Sequence, residues 1–182
     1  MMTLPPDLVV RVPFVVGLFM MALGLFVFVA YGAFLGSFED RIVAWLTDRI
    51  AAHPDVPQRV SGRAATPEQA AAKAWERVKF SHGHGFSMVL AAFALLVLIA
   101  QAPHLPAVFK AALMWAGLVA TSLYNVGWVL AGWLVPFVGT KKAKVFGETF
   151  FFVPLGLILV ATTAIVAAVY AWHVFGVITG VR

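Results

Sequence analysis

The chain has 182 residues, of which 62% are hydrophobic and only 12% charged. A water-soluble domain carries about 25% charged residues, so one core wrapped in solvent is excluded as a description. Cysteine is absent, which removes disulfides, thiolate metal sites, iron–sulfur clusters and a cysteine nucleophile together.

Four apolar stretches each hold the roughly 20 residues that a bilayer-crossing helix needs. They predict helices over about 10–36, 80–101, 107–136 and 146–177. Only helices or closed barrels satisfy their backbone in hydrocarbon, so the expected fold is all-α. We expect an integral membrane antiparallel four-helix bundle, one domain over 1–182, with a long loop between helices 1 and 2. The first stretch has one preceding base, Arg11, and no small-residue cleavage site, so it reads as a retained helix rather than a signal peptide.

The long segment, about 37–79, is not featureless. Phe38, Ile42, Trp45, Leu46 and Ile50 recur at helical spacing with charges between them, which predicts a short amphipathic helix. Pro54 and Pro57 end it. Thr66-Pro67-Glu68 then reads as an N-cap, a first-position proline and a first-turn acid. The alanine-rich run that follows predicts a helix continuous with helix 2, a stalk of roughly 15 residues and about 22 Å.

Helices 2 and 3 are joined by a tight turn, QAPHLPA. Helix 3 carries Thr121, Ser122, Tyr124, Asn125, Trp128 and Trp133 and ends near Pro136 and Gly139. VGTKKAKVFGE leads into helix 4, where Pro154 is expected to kink the helix.

The net charge of +5 reads as topology rather than as affinity for nucleic acid. Arg41, Arg49, Arg59, Arg63, Lys73, Arg77 and Lys79 lie in the first connection, and Lys141, Lys142 and Lys144 in the third. Only Arg11, Lys110 and Arg182 lie on the other side. Basic residues stay cytoplasmic, so both connections are expected in the cytoplasm and both termini opposite.

Depth then sorts the polar residues. His82, His84, Glu148, Trp133 and the three lysines fall near the cytoplasmic face, Tyr124 and Asn125 near mid-membrane, and His104 and His173 at the far face. His82 and His84 invite a haem or metal reading. On an unbroken helix they point about 200° apart and cannot grip one ion together, unless Gly83 and Gly85 open the helix. A plainer reading has them snorkel at the interface beside Arg77 and Lys79. Glu148 pairs with Lys144 at a spacing of four in its plainer reading, or faces the bundle interior. Asn125 has a plain role too, a hydrogen bond to a neighbouring helix. Trp128 and Trp133 read equally as packing or interfacial anchors.

The stretch Glu76-Arg77-Val78-Lys79-Phe80-Ser81-His82-Gly83-His84-Gly85-Phe86-Ser87 resembles the opening of helix 2 in the MAPEG family of membrane proteins of eicosanoid and glutathione metabolism. The glutathione-transferase branch of that family has the form E-R-V-x-R-x-H-x-N-x-x-E there. Glu76, Arg77, Val78 and His82 match, Lys79 stands beside the basic position, and His84 and Ser87 replace the asparagine and the second glutamate. AAHPDVP resembles that branch's Asn-Pro-acid break. The resemblance implies a homotrimer in the lipid bilayer that binds glutathione near the cytoplasmic face. It implies Arg77, Lys79, His82, His84, Glu148, Lys141 and Lys142 around the tripeptide, with His82 preferred over His84. Tyr124 or Lys144 would stabilise the thiolate, and the expected activity is a transferase or peroxidase acting on lipophilic substrates, with no resident metal. Two other readings stay open. One is a haem- or metal-binding electron-transfer subunit using His82 and His84; the other is a non-catalytic subunit of a membrane complex.

Overall fold

The computed structural model describes residues 5–53, 55–62 and 65–180. Pro54, Arg63 and Arg182, which entered the readings above, lie outside them. Every described element is helical: α1 (Pro6–Ser37), α2 (Glu39–Ala51), α3 (Val56–Ser61), α4 (Pro67–Gln101), α5 (Ala107–Val138), α6 (Thr140–Gly147), a π turn (Glu148–Phe152) and α7 (Val153–Thr179). Four stretches are long and apolar enough to cross a membrane: Asp7–Ser37, Pro67–Gln101, Ala107–Val138 and Thr140–Thr179. This is consistent with a multi-pass membrane protein.

The long helices meet through small residues. Gly17 faces Leu96, Gly24 faces Val89 and Gly32 faces His82, so α1 and α4 run in opposite directions. Gly132 of α5 sits against the Arg77 carbonyl and Ser81 of α4, while Gly117, fifteen residues earlier on α5, lies near Leu95. The π turn and α7 lean mainly on α5, where Gly127 faces Phe151 of the turn and Tyr124 lies near Gly156 of α7. Close approach over residues without a Cβ gives helices packing contact that the hydrophobic effect cannot supply inside lipid.

The 37–79 segment is folded rather than open, which corrects the expectation of a loop there. α2 buries Ile42, Leu46 and Ile50, three of the five residues whose spacing predicted it. Phe38 and Trp45 stay exposed. α3 was not foreseen; it buries Val56, Pro57 and Val60. It is tied on both sides, because Thr140 Oγ1 donates to the Val60 carbonyl at 2.6 Å and Lys73 Nζ to the Ser61 carbonyl at 2.7 Å. α4 begins at Pro67, as the N-cap pattern predicts. Thr66 and Gln69 form a reciprocal capping box, which satisfies two backbone N–H groups at the helix start. The helix then runs 35 residues, about 52 Å at 1.5 Å per residue, so the stalk and helix 2 are one element. Trp75 Nε1 donates to Glu39 Oε1 at 2.6 Å and fixes α2 on the stalk.

Helix 4 also differs from expectation. It starts at Thr140, not near 146, and its irregularity precedes Pro154. The Val153 N–H reaches back five residues to the Glu148 carbonyl. A proline has no N–H and clashes with the carbonyl four residues earlier. Widening the preceding turn relieves that clash, so the irregularity takes the form of a π turn. Gly139 (φ +84°) separates α5 from α6; a left-handed backbone with Arg59 packed against it leaves no room for a side chain. At the far end, Lys110 Nζ and Tyr170 Oη donate to the Ala100 and Leu98 carbonyls, closing the last turn of α4.

Candidate functional site

A cavity of about 350 Å³ opens where α4, α5, α6 and the π turn meet. Arg77 comes from α4, Tyr124 and Trp128 from α5, Lys144 from α6, and Glu148 and Phe152 from the π turn. Tyr124, Trp128, Ala131 and Val135 fall on one stripe of α5 by their spacing of three and four. Gly132 keeps that wall thin enough for α4 to pass behind it. The π turn brings Phe152 inward over Gly147, where a Cβ would collide with the ring.

The wall is aromatic. Trp128 and Phe152 stack with centroids 4.5 Å apart, and Tyr124 meets Phe152 at 5.4 Å. Beside Trp128 lies His84, its ring centroid 4.3 Å away, and Phe80 touches both rings, at 5.8 Å from His84 and 5.4 Å from Trp128. Two nitrogens in this group, Trp128 Nε1 and His84 Nε2, are buried without a hydrogen-bond partner among the described residues. Such atoms cost free energy until something pairs with them. Trp128 lines the cavity and its indole N–H can only donate, so it calls for an acceptor.

The mouth is charged. Lys144 Nζ lies 3.4 Å from Glu148 Oε1, the spacing-of-four pair that the sequence offered as the plainer reading of Glu148. The pair is well exposed, so it contributes at most about 1 kcal/mol and gives way easily to a ligand. Arg77 has no ion pair among the described residues. Arg77, Lys144 and Glu148 together leave one net positive charge at the opening.

Of the sequence-predicted residues, Arg77, Tyr124, Lys144 and Glu148 share this cavity, and His84 stands beside Trp128 of its wall. The others lie elsewhere. His82 points to the opposite side of α4, against Gly32, Phe28 and Tyr31 of α1. The sequence preferred His82 to His84, and the structure sets His84 nearer the cavity. The two rings on opposite sides cannot share one ion. Lys79 is occupied with Glu39, at 3.6 Å, and with the face of Trp75. Lys141 and Lys142 are exposed on α6 outside the lining. Among the described residues no group of three or more His, Asp or Glu side chains is placed to hold a metal ion.

Phe152 was missed by the sequence reading, and Trp128 was left between packing and anchoring. Tyr124 and Trp128 do share the spacing of four that puts them on one face. Nothing in a run of three phenylalanines marks which one a π turn rotates inward. No protein-family model, no curated protein and no solved structure matches this chain.

Proposed function

We propose that the chain is a MAPEG-like membrane enzyme, an antiparallel four-helix bundle that holds a small anionic thiol of the glutathione class in the 350 Å³ cavity. The observation that carries this reading is convergence. Arg77, Tyr124 and Lys144, which the resemblance assigns to the thiol cofactor, come from three different helices and line one space. In this reading both basic connections face the cytoplasm, both termini lie opposite, and copies associate as trimers in the bilayer.

The chemistry follows from the lining. Arg77 and Lys144 take the carboxylates of the tripeptide, Arg77 with its planar fork and Lys144 as a point charge. Glu148, released from Lys144, takes the tripeptide's ammonium group. Trp128 and Phe152 give the tripeptide's backbone an aromatic wall. Nearby cations and the Tyr124 hydroxyl lower the thiol's pKa. The proton passes to water at the mouth, and the sulfur lone pair forms a bond to an electrophilic carbon of a lipophilic acceptor. The departing group leaves with the electrons of the bond that breaks. Lys141 and Lys142 add positive potential on the approach, while His82 and Lys79 serve helix packing.

Calorimetry on the purified full chain in detergent tests this directly. Saturable glutathione binding is expected, weakened at least roughly tenfold by Arg77→Ala, the size of a lost charged contact. Tyr124→Phe should retain binding while the ultraviolet thiolate band of the bound thiol shifts to higher pH. Folded protein that gives no heat with glutathione would end this reading.

A further inference from the structure

A second cleft lies on a different face of α5, between α5 and α1, and encloses about 410 Å³. This is within the roughly 300–1,000 Å³ of small-molecule sites. Its walls are almost wholly apolar, among them Met20, Val27, Phe28 and Val126. Thr121, Ser122 and Asn125 interrupt them at mid-helix, and Tyr31, whose hydroxyl accepts from Trp133 Nε1, does so towards one end. Thr121 is 1% and Asn125 6% exposed. Thr121 Oγ1 and Asn125 Oδ1 both lack a hydrogen-bond partner among the described residues. Neither atom can turn to water at this depth, and unpaired polar atoms in hydrocarbon are costly.

We propose that this cleft binds a lipophile carrying a single hydroxyl. The amide oxygen of Asn125 accepts and so needs a donor, while the Thr121 hydroxyl can both donate and accept. One hydroxyl that donates to Asn125 and accepts from Thr121 satisfies both once their side chains, whose oxygens are covered in this structure, turn towards the cleft, and the apolar walls take the rest of the molecule. A neighbouring helix supplies such a partner only if it sets a polar side chain opposite, because its own backbone N–H groups are already bonded within it. This inference does not rest on the thiol reading, since the cavity at the mouth shares none of these residues.

The test uses the full chain in lipid nanodiscs with a long-chain alcohol bearing a diazirine, alongside the matched alkane without the hydroxyl. After irradiation, the alcohol should mark peptides spanning 20–31 and 121–130 roughly tenfold more than the alkane does. Asn125→Leu should abolish that preference without loss of fold, because it removes an unpaired polar group. Val126→Phe, which leaves both polar groups in place, should block labelling by filling the cleft. Competition by an unlabelled quinol, a sterol or a prenol identifies which source of hydroxyl the cleft prefers. Equal labelling by alcohol and alkane, or an unchanged preference in Asn125→Leu, overturns the proposal. So does a second occupant: the chain has no cysteine, and an intermolecular disulfide formed by Val126→Cys in native membranes would show that another copy closes the cleft.

Discussion

The α2–α3–stalk region and α7 obey opposite packing rules. In the first, Leu46, Ile50, Val60, Ala70, Ala71, Ala74 and Val78 are fully buried, and Trp75 nearly so. In α7 only Thr162 and Val166 are buried, and Val160, Trp172 and Ile178 stand two-thirds or more exposed. α7 is nonetheless the more apolar of the two. Water forces apolar side chains inward at a cost of about 25 cal/mol per Å² left exposed. Hydrocarbon imposes no such penalty. The contrast separates the part of the chain built for water from the part suited to lipid.

Four substitutions probe that contrast, in order of falling effect. Trp75→Ala removes a buried ring and its hydrogen bond to Glu39. It should cost about 3–5 kcal/mol, read as a lowered denaturation midpoint of the purified protein. Ala167→Arg places a charge on an exposed site near the middle of α7. If lipid surrounds it, insertion should worsen by about 2.5–3.5 kcal/mol; a solvent-exposed α7 would tolerate the change, and an insertion assay decides between them. Thr66→Ala removes one half of the capping box and should cost about 1 kcal/mol, with slower exchange protection lost first in the opening turns of α4. Leu157→Ala, at a position 64% exposed, should shift stability by less than about 0.5 kcal/mol by the same midpoint measurement. A large loss there would mean that another surface covers α7.

The same contrast explains how far the sequence could be read. Where water enforces periodicity, the pattern was plain: Ile42, Leu46 and Ile50 marked α2, and Thr66-Pro67 marked the start of α4. The apolar stretches gave four helices by length alone. They could not say which face packs, because in a uniformly apolar helix every face looks alike. The site was legible to the extent that charge is sparse, since Arg77, Lys144 and Glu148 stood out against an apolar background. The assignment of His82 and His84 to opposite neighbours was legible only as an angle; the partners Tyr31 and Trp128 are set by tertiary packing. The inward turn of Phe152 depends on a backbone irregularity that Pro154 foretold only loosely.

That irregularity fixes the phase of everything after it. A π turn accommodates one residue more than an α-helical turn, so Pro154→Ala, which lets the segment relax to a regular helix without losing a residue, would pass that extra residue on to α7. Each residue advances an α-helix by about 100°, and α7 would then present a different stripe to α5. Phe151 would leave its seat on Gly127, and Phe152 would swing off Trp128. The five residues Glu148–Phe152 thus act as a dial between two helices. Its setting determines both which side of α7 looks outward and whether the mouth cavity has a fourth wall.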